Sequence, residues 1–385
     1  MINKICVSGY KCLKNTPLNV DNLNIFVGAN ASGKSSFLQT LLLLRQSSQG
    51  QSIDNLKLSG PLYEGGLATD VLHPDSKHTI DISINSSKIR FKHNRDKEDA
   101  TQARVFDRDT PSDDLTLENQ NLTPLLGDQF IYLNAERASP KVTYGLPPTE
   151  KILAGKLGKH GEYTAALLAD AESNVYIAPD WTEVATKLIE AAKDLEGLDL
   201  EQELKDSGGR LDLMTNSALK WVIPGACFLV QKQNDTDSST LKFIRDTEKT
   251  RTAVRATHIG FGLTYTLPII TGALMLAKDS IMIVENPEAH LHPFSQSRIG
   301  VFLAIMASFG KQIFIETHSD HVVNGIRLAI AKGYLPHTQL KTHFFNKPID
   351  GTTARVTSIN CDEDGYMDQW PDGFFDQIES DLSKL

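Results

Sequence analysis

The sequence predicts an α/β protein with a mainly parallel central sheet. Short β-branched segments such as "LNIFVG", "SIMIVE" and "QIFIETH" alternate with helical segments near both ends of the chain. A glycine-rich turn and an apolar helix follow the first of these segments, and polar side chains follow the other two. Strand ends of this kind are where open α/β sheets carry their ligand sites, so we look for function there.

Composition and charge limit the class of protein. With 385 residues, of which 40% are apolar, the chain can bury a large core in two domains or in one domain with an insertion. The net charge is −9, and acidic and basic residues are interspersed. The chain as a whole therefore does not attract nucleic acid, and nucleic acid stays a candidate partner only through a local basic patch.

Cysteine usage and hydropathy indicate a cytoplasmic protein. The four cysteines are far apart except for Cys6 and Cys12, which argues against a zinc site or a disulfide framework. The most apolar window, "TLPIITGALMLAKDSIMIV", is interrupted by Pro268, Lys278 and Asp279. We interpret it as a buried helix, a turn and a buried strand, and we expect no membrane association.

Three parts follow one another along the chain. Residues 1–92 contain strands, one helix and the alternating segment "HTIDISINSSKIRFKH", which predicts an antiparallel hairpin in an N-terminal subsheet. Residues 93–254 begin with a charged stretch and continue with helical text, which predicts an inserted, mostly helical α/β lobe. Residues 255–385 return to alternating helices and strands. The first and third parts together are predicted to form one discontinuous domain.

A phosphate site is predicted in "NIFVGANASGKSSFLQTLLLL". Gly28, Gly33, Lys34 and Ser35 match the pattern G-x-x-x-x-G-K-[ST], with a strand before it and a helix after it. Glycines leave backbone N–H groups free for phosphate oxygens, Lys34 supplies a charge to the β and γ phosphates, and Ser35 ligates Mg²⁺. The predicted nucleotide-contacting residues of this loop are Gly28, Asn30, Ala31, Ser32, Gly33, Lys34, Ser35 and Ser36.

An acidic strand end supplies the second part of the predicted site. Glu285 follows the buried segment "SIMIV", where P-loop NTPases place the carboxylate of the Mg²⁺ shell, so Glu285 and Ser35 are the predicted metal ligands. A simple helix cap at Glu285 is the alternative. His290 and His292 with Glu288 also resemble a transition-metal cluster, but this spacing is more typical of an interface turn.

A third strand, "QIFIETH", ends at His318. A histidine at such a strand end can donate to a γ-phosphate and report its presence, so His318 is the predicted sensor. The alternative is a structural histidine. Three polar strand ends in one sheet favour the functional interpretation.

These motifs resemble a known family. "FVGANASGKSS", "IVENPEAHLHP" and "IETHSDHVVNGIR" are together similar to the ABC-type ATPase heads of the SMC, Rad50 and RecF group. They are most similar to the short AAA-type ATPases related to the overcoming-lysogenisation-defect proteins. "YLNAERASP" and "WPDGFFDQIESDL" resemble a bacterial subfamily often encoded in anti-phage defence loci. The resemblance covers residues 1 to about 70 and about 255 to 385, and it implies ATP and Mg²⁺ as cofactors.

The resemblance also implies a dimer, because in that family ATP is bound between two heads. A signature loop from the opposite head completes each site. Gly260, Gly262 and Thr264 in "THIGFGLTYTLPII" match that loop, and Thr264 is expected to cap the helix that follows. The alternative is an ordinary N-capped core helix.

Two departures from the family pattern affect the chemistry. No clear Q-loop glutamine is present, and Tyr63 and Asp70 are the only obvious polar substitutes. Asn286 occupies the position of the glutamate that polarises water. An amide can orient water but cannot accept a proton, so we predict slow turnover or a general base at Glu288, two residues later.

The predicted function is therefore that of a dimeric, ATP-hydrolysing head, or a higher oligomer, that acts as a switch or motor for a partner such as a nuclease or DNA. The alternative is a nucleotide-gated regulatory scaffold with little turnover, which Asn286 favours. A self-contained nuclease is disfavoured, because the acidic segment "NCDEDGYMDQ" reads as a solvated turn rather than a two-metal site.

Overall fold

The computed structural model describes residues 1–48, 53–93, 106–109, 122–148, 152–174, 176–233, 235–246, 251–346, 352–375 and 381–384. The strands in these ranges are β1 (Lys4–Ser8), β2 (Thr16–Asn19), β3 (Leu23–Gly28), β4 (Asn55–Leu56), β5 (Thr79–Ile84), β6 (Ser87–His93), β7 (Phe106–Arg108), β8 (Phe130–Leu133), β9 (Tyr144–Gly145), β10 (Phe228–Gln233), β11 (Ser238–Asp246), β12 (Arg251–Arg255), β13 (Ile281–Glu285), β14 (Gln312–Glu316), β15 (Leu340–Asn346) and β16 (Arg355–Ile359).

The α-helices in the same ranges are α1 (Lys34–Ser47), α2 (Ala68–Val71), α3 (Thr123–Leu126), α4 (Thr164–Asn174), α5 (Trp181–Glu196), α6 (Glu201–Asp206), α7 (Leu211–Val222), α8 (Phe261–Met275), α9 (Pro293–Ala307) and α10 (Asp320–Ala331). Short 3₁₀ helices span Ala256–His258 and His337–Gln339. None of the helices in the described part of the chain is both long and apolar enough to cross a bilayer.

The chain divides into two compact units. The first comprises Met1–Phe130, Leu340–Asn360 and Met367–Leu385, and the second comprises Ile131–Gln339 and Cys361–Tyr366. The predicted boundaries at residues 92 and 255 follow the motifs rather than compactness, and they stay a prediction. Of the predicted charged stretch after residue 92, residues 94–105 and 110–121 lie outside the described ranges.

An antiparallel sheet with the strand order β2-β1-β5-β6-β7-β4 forms one layer of the first unit. β5 and β6 pair from Thr79↔Lys92 to Ile84↔Ser87 around a turn at Asn85, whose φ is 53°. Alternate residues of both strands are buried, because successive side chains of a strand point to opposite faces. The predicted hairpin in an antiparallel N-terminal subsheet is confirmed.

The strand that precedes the P-loop belongs to the same unit. β3 pairs in parallel with β15, and β15 pairs antiparallel with β16. From Leu23 to Val27 every residue of β3 is buried, as expected of a strand covered on both faces. At its end, Gly28 lies so close to β15 that an added Cβ would be 2.1 Å from the Phe345 carbonyl oxygen. Only glycine fits at this position.

In the second unit, two parallel strands carry the predicted acidic and histidine ends. β13 pairs with β14 in register from Ile281↔Gln312 to Glu285↔Glu316, and β13 has β8 on its other side. The helix α8 before β13 is buried along nearly its whole length and contains Pro268. The predicted sequence of buried helix, turn and buried strand is therefore confirmed.

The remainder of the second unit contains helices and a small antiparallel sheet. β10, β11 and β12 form the sheet, and β9 adds to β11. Trp221 on α7 is 1% exposed and donates from Nε1 to Glu196 at the end of α5, at 2.6 Å. The second oxygen of Glu196 pairs with Arg298 on α9. Within the second unit, α5 is thus tied to α7 and α9 by polar contacts as well as by apolar packing.

Candidate functional site

The predicted phosphate loop is a strained turn between β3 and α1. Gly28, Ala31 and Gly33 have φ values of 135°, 59° and 110°, all in the left-handed region. Gly33 is also confined by packing, because an added Cβ would be 2.7 Å from Cys12 Sγ. Asn30 and Ala31 are exposed, whereas Ser35 and Ser36 are partly buried at the start of α1. The predicted strand, glycine turn and helix are all present.

The side chains of this loop form a cradle for an anion. Lys34 is 3% exposed, and its Nζ donates to the carbonyl oxygens of Gly28 and Ala29 at 2.9 and 2.8 Å. The Ser32 hydroxyl is buried and has no hydrogen-bond partner among the described residues. A buried hydroxyl is costly to leave unsatisfied, and a phosphate oxygen would accept a hydrogen bond from it. The residues present therefore fit a phosphate group.

A second cation reaches the same loop from outside the motif. The loop borders a pocket of about 330 Å³ lined by Lys11, Cys12, Ala31, Ser32, Gly33, Lys34, Ser35, Ser36 and Asp70. Lys11 Nζ donates to the Tyr63 hydroxyl at 2.7 Å and to Gln39 Oε1 at 3.0 Å. Asp70 accepts from the N–H of Leu67 at 2.8 Å. Lys11 could not be predicted as a site residue because it lies in no recognisable motif, whereas Tyr63 and Asp70 were predicted as polar substitutes for the Q-loop glutamine.

Glu285 is held at the end of β13 by two hydrogen bonds. Its Oε1 accepts from the Tyr132 hydroxyl at 2.9 Å, and its Oε2 accepts from the N–H of Ala135 at 3.1 Å. Burial raises the pKa of the Glu285 carboxyl above its ordinary value, while these two hydrogen bonds and the nearby Arg137 act in the opposite direction. These bonds fix the direction of the carboxylate, and its oxygens are ligands of the kind that Mg²⁺ prefers.

A buried arginine, Arg137, holds the backbone of the same strand end. Its side chain is 3% exposed and donates to the carbonyl oxygens of Glu285 and Asn286, at 2.6 and 3.1 Å. Burial lowers the pKa of Arg137 to about 10 despite nearby carboxylates, so the guanidinium stays charged at neutral pH. In the sequence, this segment stands out only through the resemblance of "YLNAERASP" to a bacterial subfamily. Its polar residues directly follow a buried strand, the same signal that identified Glu285.

Asn286 and Glu288 differ in how they are held. Asn286 lies in the left-handed region with a φ of 45°, and its N–H donates to the Glu316 carbonyl oxygen at 2.8 Å. Glu288 accepts from the Thr317 hydroxyl and from the N–H of His318, both at 2.8 Å. The carboxylate proposed as general base is therefore tied to the end of β14. His318 lies two residues after the end of β14 and is exposed.

The predicted signature loop opens α8, but one detail of that prediction is wrong. Gly260 is the N-cap of the helix, and Thr264 lies inside its first turns, where its hydroxyl donates to the Phe261 carbonyl oxygen at 2.9 Å. Thr264 therefore does not cap the helix, because the N-cap is Gly260, four residues earlier than expected. Gly262 packs so closely that an added Cβ would be 2.7 Å from the His290 carbonyl oxygen, whereas Gly260 has open space around it.

The histidines after β13 have structural contacts. The His290 ring packs against Tyr265 and Phe261, with centroids 4.9 and 5.3 Å apart. The His292 ring accepts from the N–H of Phe294 at 3.3 Å and so caps α9. No group of three or more His, Cys, Asp or Glu side chains in the described ranges is arranged to hold a metal ion. The ring packing of His290 and the helix cap at His292 are structural contacts, and the interface expected at this turn stays a prediction.

The acidic C-terminal segment forms a turn, as expected. Asp362 Oδ1 accepts from the N–H groups of Asp364 and Tyr366, at 3.1 and 2.8 Å. Asp368 accepts from the backbone and the side chain of Asn360. The carboxylates therefore satisfy local backbone groups. Within "WPDGFFDQIESDL", residues 376–380 lie outside the described ranges.

Comparison with known protein families shows to which family this chain belongs. A family profile described as "AAA domain, putative AbiEii toxin, Type IV TA system" matches residues 23–324, well over half of the chain. The chain belongs to this AAA family. A second profile, described as "Protein of unknown function (DUF3696)", matches residues 335–385 of the AAA family member. A search with this chain finds no match among the curated proteins.

In fold, the AAA family member is similar to SMC head domains. A crystal structure of an SMC head bound to the C-winged helix domain of ScpA aligns over 93% of this chain and 98% of that chain, with a TM-score of 0.52 and 11% identity. An SMC head with an extended coiled coil, bound to the C-terminal domain of ScpA derived from Pyrococcus furiosus, covers 100% and 98%, with a TM-score of 0.49 and 12% identity. The SMC head from Thermotoga maritima covers 92% and 98%, with a TM-score of 0.43 and 10% identity. The first likeness confirms the predicted fold class, a P-loop NTPase of the ABC-head type.

Proposed function

We propose that this chain binds ATP with Mg²⁺ and hydrolyses it as a dimeric ABC-type head that switches a protein or DNA partner. The observation that carries the proposal is the structure of the phosphate loop. The Lys34 ammonium donates to two carbonyl oxygens of this loop, and the buried Ser32 hydroxyl has no hydrogen-bond partner among the described residues. Membership of an AAA family supports nucleotide binding by this loop. A turn that binds a neutral or cationic ligand would not bring hydrogen-bond donors and a positive charge together in this way.

Each predicted site residue receives a role in this proposal. The loop from Gly28 to Ser36 surrounds the phosphates, and Lys34 binds the β and γ phosphates. Ser35 and Glu285 supply oxygen ligands to Mg²⁺, which offsets the charge of the phosphates when bound. Tyr132 and the N–H of Ala135 hold the Glu285 carboxylate in one direction.

The remaining roles concern water and the γ-phosphate. Each Glu288 oxygen accepts one hydrogen bond, which leaves lone pairs for a water molecule, so Glu288 is the proposed general base. Asn286 orients that water through its amide. His318 reports the γ-phosphate from the exposed end of β14.

Assembly and partner are proposed from the family. In a dimer, Gly260, Gly262 and Thr264 of one copy face the nucleotide of the other, and the open space around Gly260 is compatible with that approach. The SMC heads of similar fold were crystallised with domains of ScpA, which supports a protein partner on the head. The proposed partners are a nuclease or another effector, and the proposed setting is anti-phage defence.

One observation favours a second function, a nucleotide-gated scaffold with little turnover. Asn286 stands in the position of the catalytic glutamate, and both its backbone N–H and its carbonyl oxygen are fixed by hydrogen bonds. The side-chain amide of Asn286 cannot accept a proton at neutral pH, so it cannot act as a base. ATP would then bind and join two copies without being consumed.

Calorimetry on purified protein tests the phosphate site. The parent should bind ATP, and Lys34→Ala should abolish binding because it removes the cation that the loop positions. Lys14→Ala is the control, since Lys14 is exposed and pairs with Asp75 at 2.7 Å. Unchanged ATP affinity in Lys34→Ala would overturn the assignment.

Turnover then separates the two functions. ATP hydrolysis is measured with and without DNA, alongside the mass of the particle in each nucleotide state. Hydrolysis under any of these conditions supports the ATPase. ATP-dependent dimers without hydrolysis, with or without DNA, support the scaffold.

A further inference from the structure

The end of β8 and the residues that follow it make more hydrogen bonds to the acidic end of β13 than are needed to orient one metal ligand. Tyr132 and Ala135 bind the Glu285 carboxylate, and Arg137 binds the carbonyl oxygens of Glu285 and Asn286. Four donors from one short stretch, Tyr132–Arg137, thus converge on the Glu285 side chain and on the two successive peptide groups that carry the Glu285 and Asn286 carbonyl oxygens. We name this stretch the clamp segment.

Arg137 binds the backbone around Asn286, a residue whose φ lies in the left-handed region. Asn286 has a φ of 45°, and its N–H is already used by the Glu316 carbonyl oxygen at 2.8 Å. Arg137 takes the carbonyl oxygens on either side of this N–H. The turn is therefore held from both sides, and because side-chain direction follows the backbone, the turn sets where the Glu285 carboxylate and the Asn286 amide point.

A buried guanidinium is a costly way to bind two carbonyl oxygens. Taking a charge out of water costs several kcal/mol, and neutral donors could satisfy a carbonyl at a lower cost. Arg137 is 3% exposed, and its buried Nε has no hydrogen-bond partner among the described residues. Its guanidinium also lies 6.0 Å from the ring of Tyr265 on α8, at cation–π distance. The planar guanidinium fixes the angle between its two hydrogen bonds, which a single point donor such as a lysine ammonium does not.

We propose that Arg137 is a positioning residue for ATP hydrolysis, which acts by fixing the Glu285–Asn286 turn against the clamp segment. The inference rests on the proposed function, because it takes Glu285 and Asn286 as site residues. It goes further in assigning a role to a residue outside every nucleotide-binding motif of the chain. Arg137 is not expected to touch ATP.

Two substitutions test the role. Arg137→Met removes both hydrogen bonds, and Arg137→Lys keeps the charge but replaces the fork with a single point donor. We expect kcat to fall roughly tenfold to hundredfold in Arg137→Met, since displacement of a reacting group by about 1 Å costs that much. The affinity for ATP should change less than about threefold, and Arg137→Lys should recover part of kcat.

The chain provides a matched control in Arg45. This arginine is 1% exposed, donates to the carbonyl oxygens of Leu125 and Gly127, and lies 4.0 Å from the Phe130 ring. Burial lowers its pKa to about 10, as for Arg137. Arg45→Met should therefore cause a similar loss of melting temperature, but with kcat close to that of the parent.

A second measurement keeps the proposal testable if turnover is negligible. Electron paramagnetic resonance of Mn²⁺ titrated into the ATP-bound protein reads the metal site directly. Arg137→Met should weaken Mn²⁺ binding several-fold while Arg45→Met does not. If the parent protein does not hydrolyse ATP under any condition, the hydrolysis part of the proposed function is wrong. The Mn²⁺ titration still tests, independently of turnover, whether Arg137 positions the end of β13.

Three results would overturn the positioning role. The first is a folded Arg137→Met with parental kcat and Mn²⁺ affinity. The second is a loss of ATP affinity in parallel with kcat, which would make Arg137 a binding residue. The third is an equal loss of kcat in Arg45→Met, which would reduce both arginines to contributors to stability.

Discussion

Asn286 and Glu288 lie two residues apart, and only one of them can accept a proton. If Glu288 is the general base, Glu288→Gln should lower kcat by roughly a hundredfold to ten-thousandfold with little change in ATP affinity. Asn286→Ala should have a smaller effect, because an amide only orients the water. Steady-state hydrolysis and calorimetry measure both quantities, and Glu183→Gln on the exposed face of α5 is the control. Parental turnover in Glu288→Gln would exclude it as the base.

At the level of elements, α9 and α10 pack through glycines. An added Cβ on Gly325 would lie 2.0 Å from the Ser297 carbonyl oxygen, and one on Gly300 would lie 2.4 Å from that of Val322. Backbone atoms cannot move aside cheaply, so Gly325→Ala should destabilise the fold by at least about 3 kcal/mol. Calorimetric melting should show a decrease of roughly 5 °C or more.

The control for this packing is Gly145→Ala, since an added Cβ at Gly145 meets no atom within 4 Å. It should melt close to the parent. A Gly325→Ala protein with parental melting would mean that the two helices separate without cost.

The junction of α8 and β14 makes stability depend on pH. Lys311 at the start of β14 is fully buried and donates to the Ala273 carbonyl oxygen near the end of α8, at 2.8 Å. Burial lowers its pKa from 10.5 to about 8. Between these two values the unfolded chain binds more protons than the folded chain, so stability rises with pH across that window.

Lys311→Met removes this contribution. The melting temperature of the parent should therefore rise relative to that of Lys311→Met as pH increases from about 8 toward 10.5. The full difference is on the order of 3 kcal/mol. The exposed Lys193→Met should track the parent at every pH, and a constant difference between parent and Lys311→Met would contradict the prediction.

At the level of the whole molecule, the proposed dimer can be tested by mixing inactive variants. Lys34→Ala disables the phosphate loop, and Gly260→Asp disables the signature loop without a clash, since nothing lies within 4 Å of an added Cβ. In a mixed dimer one of the two sites combines the intact loops. Equal amounts of the two variants should therefore recover about a quarter of parental turnover.

Each variant alone is the control and should be inactive at every concentration. Light scattering should show ATP-dependent dimers of Glu288→Gln, in which hydrolysis is slow. A mixture that stays inactive although mixed dimers form would show that each copy carries a complete site of its own.

Local features of the molecule could be predicted from the sequence because local order encodes them. The strand, turn and helix around Gly28 and Lys34 span about twenty residues, and the alternation in β5 and β6 is visible letter by letter. The alternation of helices and strands on both sides of β13 was predictable for the same reason, because each of these elements is a continuous run of residues.

Contacts between distant segments could not be predicted in this way. Tyr132 and Glu285 are 153 positions apart, and Arg137 and Glu285 are 148 positions apart, so no periodicity links them. The start of α8 was placed too late because Gly260, Phe261 and Gly262 carry no strong capping signal, whereas Thr264 does. Its hydroxyl bonds a carbonyl of its own helix instead.

The pairing of β3 with β15 has a consequence for the synthesis of the protein. Gly28, which ends β3, is pressed against Phe345 near the other end of the sequence. A nascent chain that has not yet emerged beyond residue 340 lacks the strand that backs the phosphate loop, although the loop itself left the ribosome long before. Because such distant pairings form late, the nucleotide-binding loop reaches its final shape among the last parts of the first unit. We therefore expect ATP to bind this loop only after β15 has paired with β3.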